Sequence, residues 1–163
     1  MALKLVLIRH GEARGKRIGE TDFERELTKA GIEALTEAFP RHLSLIDVDE
    51  DTELWSSTAI RARQTADIAN ETLKIDRRVE LDGLYEQDQQ AFLEALAETD
   101  ANTVVAVGPI PFMEDVCARL TGAFLDVSTG AAACVEISDA QRDALGRGTA
   151  RGRLAWFVQG PDA

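Results

Sequence analysis

Short apolar segments alternate with longer amphipathic ones along the whole chain, and this alternation limits the possible folds more than any other feature. Residues 3–8 form a nearly continuous apolar run, typical of a strand that is covered on both faces, and residues 103–107 form a second one. Strands separated by helices favour a parallel sheet, because the chain must cross back over one face between two strands. We therefore predict an α/β fold, a three-layer α/β/α sandwich around a mostly parallel central sheet.

The other segments continue this alternation. Four helices are predicted, the first capped by Thr28 and ending near Pro40, and the others at about 59–73, 88–97 and 111–120. Four more strands are predicted at residues 53–56, 79–81, 131–137 and 153–158, the last two joined by a polar stretch over 138–152. No linker or internal repeat divides the chain, so residues 1–163 are expected to form a single domain.

Charge and composition exclude several classes of function. The 163 residues include 18 Lys and Arg against 29 Asp and Glu, a net charge of −11, which argues against binding to nucleic acid or an anionic membrane. No apolar run approaches the roughly 20 residues of a membrane span, and no signal-peptide pattern precedes the first strand, so the cytoplasm is expected. Cys117 and Cys134 suit small buried hydrophobic positions, and no Cys/His cluster has zinc spacing. No metal or cofactor is predicted, and the oligomeric state is left open.

The first 25 residues differ from the acidic remainder, because they hold six basic side chains against four acidic ones. A cationic region on an acidic body can attract an anion. The alternative is an ordinary solvated loop.

Arg9 and His10 stand side by side where the first predicted strand ends, and Gly11 follows them. Ligands of parallel sheets bind beyond the carboxyl ends of the strands. A guanidinium group matches phosphate oxygens, and a neutral imidazole nitrogen can attack phosphorus to form phosphohistidine. A structural role for such a histidine is the alternative.

Arg61 falls in the first turn of the second predicted helix, where the helix dipole repels a cation unless an anion is near. An anion-binding role would explain this position. The alternative is a solvated arginine that pairs with an acid on the same helix, such as Asp67 or Glu71.

Taken together, these motifs resemble the histidine phosphatase superfamily. The resemblance is carried by the following segments, in chain order: Leu-Ile-Arg-His-Gly-Glu-Ala (7–13), Arg-Glu-Leu-Thr-Lys-Ala-Gly (25–31), Ser57 with Arg-Ala-Arg-Gln-Thr-Ala (61–66), Leu-Tyr-Glu (84–86), Leu-Thr-Gly (120–122), Thr-Gly-Ala (129–131) and Trp-Phe-Val (156–158). The sequence looks most like the short SixA-like branch of phosphohistidine phosphatases, which implies a phosphoglycerate mutase-like fold.

The resemblance implies a role for each matching residue. His10 would accept the phosphoryl group, and Arg9 and Arg61 would clamp its oxygens. Glu86 lies near the position of the acid/base carboxylate in larger members, although it could equally be a rim residue. Arg25 and Ser57 would line the phosphate pocket or only support its shape.

One position departs from the family pattern. The second histidine of the family's pocket follows the fourth strand, where this chain has Gly-Pro-Ile-Pro (108–111), so Pro109 takes its place. Pro109 has no ionisable side chain and no backbone N–H. The other histidine of the chain, His42, is expected to be exposed to solvent near the end of the first helix.

Two functions therefore follow from the sequence. The first is a phosphatase of reduced activity that acts through His10, with phosphohistidine proteins among its candidate substrates. The second is a catalytically degenerate member that binds phosphate or a phosphorylated partner, protein or small molecule, without useful turnover.

Overall fold

Six strands form one mixed sheet in the computed structural model, which describes residues 2–161. They are β1 (Leu3–Arg9), β2 (Thr52–Ser57), β3 (Arg77–Leu81), β4 (Thr103–Gly108), β5 (Ala132–Ile137) and β6 (Arg153–Val158). Their order across the sheet is β3-β2-β4-β1-β5-β6. The first four strands are mutually parallel, whereas β5 runs antiparallel to both β1 and β6. The predicted α/β fold with a mostly parallel sheet is confirmed.

Helices cover both faces of this sheet. The described residues form α1 (Lys29–His42), α2 (Ile60–Leu73), α3 (Asp82–Tyr85), α4 (Gln89–Glu98), α5 (Phe112–Thr121) and α6 (Asp139–Arg142). A single 3-10 turn, Asp22–Glu24, interrupts the long connection between β1 and α1. None of the described helices is long and apolar enough to cross a membrane.

Two hydrophobic cores, one on each face, explain the apolar run of β1. Leu5 and Leu7 pack into one core, whereas Val6 and Ile8 pack into the other, and all four are buried. Successive side chains of a strand point to opposite faces, so a strand with helices on both sides must be apolar at nearly every position. This arrangement gives the three layers that the sequence predicts.

The register of β1 against β4 determines where a site can form. The two strands are parallel, and Arg9 lies opposite Gly108 at their carboxyl ends. The chain segments that follow these two residues therefore leave the same edge of the sheet side by side.

The structure corrects the first predicted helix. α1 continues through Pro40 to His42 and ends where the Leu43 N–H donates to the carbonyl of Phe39. A proline is tolerated there, because the helix ends two residues later and little of its hydrogen-bond ladder remains to be broken. His42 is therefore partly buried, and its Nδ1 atom is fully enclosed, so the expectation of an exposed side chain is wrong.

The sequence does not predict three short elements. The 3-10 turn Asp22–Glu24 and the helices α3 and α6 span only three or four residues each. Segments of that length show no hydrophobic periodicity, and tertiary contacts decide their conformation.

Candidate functional site

The turn after β1 is held in place by two backbone donors. The His10 N–H donates to the carbonyl of Gly108 at 3.1 Å, which extends the β1–β4 pairing by one residue. The Gly11 N–H donates to the Thr65 hydroxyl at 3.0 Å, and that hydroxyl donates to the carbonyl of Arg61 at 2.8 Å. The end of β1 is therefore joined directly to the first two turns of α2.

The backbone at Gly11 lies so close to α1 that a side chain would not fit between them. A Cβ atom at this position would lie 2.6 Å from Cδ1 of Leu35, a fully buried side chain of α1. A larger residue would push the turn away from the core and would move His10 with it.

The His10 ring is held in one tautomer. Its Nδ1 atom lies 2.8 Å from the carbonyl oxygen of Gly11. A carbonyl can only accept, so Nδ1 carries the hydrogen and Nε2 keeps its lone pair. That lone pair is what a nucleophilic imidazole requires.

The charge state of His10 also suits a nucleophile. Burial of the ring and the nearby charges of Arg61, Arg9 and Arg25 lower its pKa to about 4, although the hydrogen bond to the Gly11 carbonyl opposes this shift. The imidazole is therefore neutral at pH 7. The charges of Arg9, Arg25 and Arg61 all act on this one ring.

Arg61 is buried, and its partner is Asp22 rather than an acid of its own helix. The NH1 group of Arg61 donates to the backbone carbonyl of Asp22 at 2.8 Å, and NH2 donates to the Asp22 carboxylate at 3.0 Å. The alternative of a solvated Arg61 paired with Asp67 or Glu71 is wrong, because Arg61 is buried and its carboxylate partner is Asp22. Asp67 pairs with Arg78 instead.

Arg25 shares that carboxylate. Its NH1 group donates to Oδ1 of Asp22 at 3.0 Å, and its Nε group donates to the backbone carbonyl of Arg14 at 2.8 Å. The carboxylate of Asp22 therefore joins two guanidinium groups whose charges both act on His10.

The side chain of Arg9 contacts the loop between α5 and β5. Its NH1 group donates to the carbonyl of Val127 at 2.9 Å, and its Nε–H is buried without a partner. Burial lowers the pKa of Arg9, and the charges of Glu114 and Asp126 partly counter that effect. A buried donor without an acceptor is costly, and a bound anion would supply one.

Ser57 and Glu86 have weaker connections to this cluster. Ser57 is buried at the end of β2, and its hydroxyl accepts from the Ala59 N–H at 3.2 Å, so it shapes the turn into α2. Glu86 is exposed directly after α3. Ser57 therefore belongs to the turn that leads into α2, and the roles of Ser57 and Glu86 in a pocket stay predictions.

Pro109 lies where the second pocket histidine of the family is expected. It follows Gly108, whose carbonyl accepts the His10 N–H, and its own carbonyl accepts from the Met113 N–H in the first turn of α5. His42 does not replace the missing imidazole, since it lines a separate cavity with Arg41 and Gln159 at the end of α1.

Three residues of the cluster were not singled out from the sequence. Asp22 and Tyr85 contact each other: the Tyr85 hydroxyl donates to Oδ2 of Asp22 at 3.3 Å. Thr65 joins the turn after β1 to α2. One signal was available, because Asp22 precedes Arg25 by three residues and Thr65 follows Arg61 by four, spacings that bring side chains together in helical turns.

Comparisons with known proteins identify the family. The model of the histidine phosphatase superfamily (branch 1) matches residues 5–129. No curated protein sequence matches the chain significantly. Residues 2–161 contain no cluster of three or more His, Cys, Asp or Glu side chains that could hold a metal ion.

Solved structures of similar fold extend over nearly the whole chain. A protein assigned as phosphohistidine phosphatase SixA from Nakamurella multipartitia is 25% identical, with a TM-score of 0.78 over 98% of this chain and 97% of that one. Its counterpart from Agrobacterium tumefaciens is 25% identical, with a TM-score of 0.77 over 96% and 97%. The protein histidine phosphatase SixA in complex with tungstate is 20% identical, with a TM-score of 0.74 over 98% of each chain.

The charge state of His10 can be measured directly. We expect its imidazole to titrate with a midpoint of about 4, because burial and the surrounding arginines disfavour the charged ring. The pKa is lowered, so the ring stays neutral from pH 7 down to about 5, and catalysis that depends on His10 should persist over that range. NMR of labelled histidine gives the midpoint of the titration. The chain has two histidines, and the variant His42→Ala shows which signal belongs to His42. A midpoint near 6.5, the ordinary value, would contradict this account of the site.

Proposed function

Because the chain belongs to the histidine phosphatase superfamily, we propose that it is a phosphatase that transfers a phosphoryl group to His10 and then to water. The observation that carries this proposal is the hydrogen bond from His10 Nδ1 to the Gly11 carbonyl, which leaves the lone pair on Nε2. The charges of three arginines act on the same ring. The proposed reaction uses no metal ion or cofactor, and the cytoplasm is its proposed setting.

In the first step, the Nε2 lone pair of His10 attacks phosphorus. A P–N bond forms, the bond from phosphorus to the leaving oxygen or nitrogen breaks, and the leaving group takes up a proton. In the second step, water attacks the phosphohistidine, the P–N bond breaks, and inorganic phosphate leaves with the water oxygen. The proton that the leaving group takes up in the first step comes from solvent, and the proton that the attacking water loses in the second step returns to solvent. His10 is then neutral again, and the two steps balance.

The arginines supply the electrostatic part of catalysis. Arg9 and Arg61 would bind the phosphoryl oxygens and hold the group in line with Nε2, and Arg25 would add a third charge at the rim. The unpaired Nε–H of Arg9 supports this role, because phosphate would give that buried donor its acceptor. In this scheme, Ser57 fixes the turn that carries Arg61, and an acid/base role of Glu86 stays a prediction.

We propose phosphohistidine carried on a protein as the substrate class. The most similar folds among those described above are assigned as SixA phosphohistidine phosphatases, and one of them holds tungstate, a tetrahedral oxyanion like phosphate. An imidazole leaving group needs little acid catalysis, since a phosphohistidine P–N bond breaks more easily than a phosphate ester. This fits a site whose exposed Glu86 is not seen to contact His10.

A second function, binding without turnover, is favoured by Pro109. A cationic imidazole at that position would donate to the phosphoryl oxygens, and loss of one positioned donor lowers rates by about 10²- to 10³-fold. The arginine cluster would still bind phosphate or a phosphorylated partner. The two functions share one site and differ in rate.

Replacement of His10 separates catalysis from background. We expect His10→Ala to abolish hydrolysis of a phosphohistidine protein and of an aryl phosphate, because the nucleophile is lost. His42→Ala is the matched control: it removes the other histidine, away from the arginine cluster, and should leave the rate unchanged. Phosphate release is the measurement. Equal rates in the parent and His10→Ala would refute the phosphatase, and phosphate binding that Arg9→Ala abolishes would then support the second function.

Restoring the missing histidine tests how far the rest of the site is already organised. We expect Pro109→His to raise the His10-dependent rate by about tenfold or more, the scale of one transition-state donor. Pro109→Ala is the control, because it removes the proline ring without adding an imidazole, and it should give no comparable gain. Initial rates at pH 7 decide the outcome. A fast parent enzyme that gains nothing from the histidine would show that the second imidazole is dispensable here.

A further inference from the structure

Asp22 accepts hydrogen bonds from two arginines of the site, through its carboxylate and through its backbone carbonyl. Its Oδ1 atom accepts from Arg25 at 3.0 Å, and Oδ2 accepts from Arg61 at 3.0 Å and from the Tyr85 hydroxyl at 3.3 Å. Its backbone carbonyl accepts from Arg61 at 2.8 Å. Both carboxylate oxygens are therefore committed to partners around the site, although the side chain is half exposed.

The segment that carries Asp22 is fixed rather than loosely placed over the site. Asp22 begins a 3-10 turn, and the next residue, Phe23, packs edge-on against the Tyr85 ring with 5.3 Å between the ring centroids. The Arg25 N–H donates to the Asp22 carbonyl, which closes the turn. These contacts hold the backbone at Asp22 close to the arginines.

Asp22 is ionised at neutral pH. Burial raises the pKa of this carboxyl, but the hydrogen bond from Arg25 and the charge of Arg61 outweigh that effect, and the net pKa lies below its ordinary value. The charge of Asp22 therefore offsets the repulsion between the two guanidinium groups that it joins.

We propose that Asp22 is a built-in counter-ion of the phosphate site, which lowers its affinity for free inorganic phosphate while it holds Arg61 and Arg25 in place. The inference rests on the proposed function, because it takes the arginine cluster as the place where phosphate binds. The Asp22 carboxylate occupies one donor group on each of these arginines and would put a negative charge beside a bound phosphate dianion. The product of hydrolysis is therefore bound weakly and released readily.

The variant Asp22→Asn removes the negative charge of the Asp22 carboxylate and keeps nearly the same side-chain shape. Arg61 keeps its hydrogen bond to the backbone carbonyl of residue 22, so it stays in the site. We expect inorganic phosphate to bind about tenfold more tightly to Asp22→Asn than to the parent at pH 7, because one negative charge near a dianion is lost. Isothermal titration calorimetry with inorganic phosphate gives the dissociation constants, and a thermal melt checks that the variant is folded. Asp22→Ser is the second variant if the asparagine side chain disturbs folding.

Glu24→Gln is the matched control. Glu24 lies in the same 3-10 turn and is exposed, and its carboxylate binds Thr21 rather than an arginine of the site. The change in net charge is identical, so tighter binding in Asp22→Asn with no change in Glu24→Gln supports the proposal. Unchanged, weaker or undetectable binding in Asp22→Asn would overturn it, and so would an equal gain in the control. The test needs no turnover, so failure of the phosphatase, read from His10→Ala, is distinguishable from failure of this inference.

Discussion

The hydrogen bond between the Gly11 N–H and the Thr65 hydroxyl is the contact on which the site depends. It joins the end of β1, which carries Arg9 and His10, to α2, which carries Arg61. The same hydroxyl donates to the Arg61 carbonyl, so one buried side chain links the turn that carries His10 to the helix turn that carries Arg61. Such a contact is strongly favoured because a buried N–H without an acceptor is costly, and Gly11 is buried.

Much of the fold and part of the site follow from the sequence. The apolar run of β1, the helix beginning after Thr28 and the alternation of strands and helices predict the layers, because burial on both faces and helix capping are local patterns. Arg9 and His10 are found by their place at a strand end. The role of Asp22 as a partner of Arg61 is not found from the sequence, because the two residues are 39 positions apart and only the folded chain brings their side chains together.

The site gathers positive charge on an otherwise acidic chain, and the structure shows how that charge is tolerated. Arg61 and Arg25 share the single carboxylate of Asp22, whereas Arg9 has a backbone carbonyl and the charges of two nearby acids. His10 contributes no further positive charge, because burial and the arginines keep its ring neutral. Pro109 stands where the family resemblance implies a second histidine, and a missing donor at that position stays a prediction.

The central claim is that His10 is a nucleophile through Nε2, and detection of the phosphorylated ring tests it most directly. After brief incubation with a small phosphoramidate and rapid quenching at alkaline pH, mass spectrometry should place a phosphoryl group on His10, and NMR should place it on Nε2. Nδ1 is held by the Gly11 carbonyl and is not available. Phosphate on Nδ1, on another residue, or on none under conditions of measurable turnover would contradict the account.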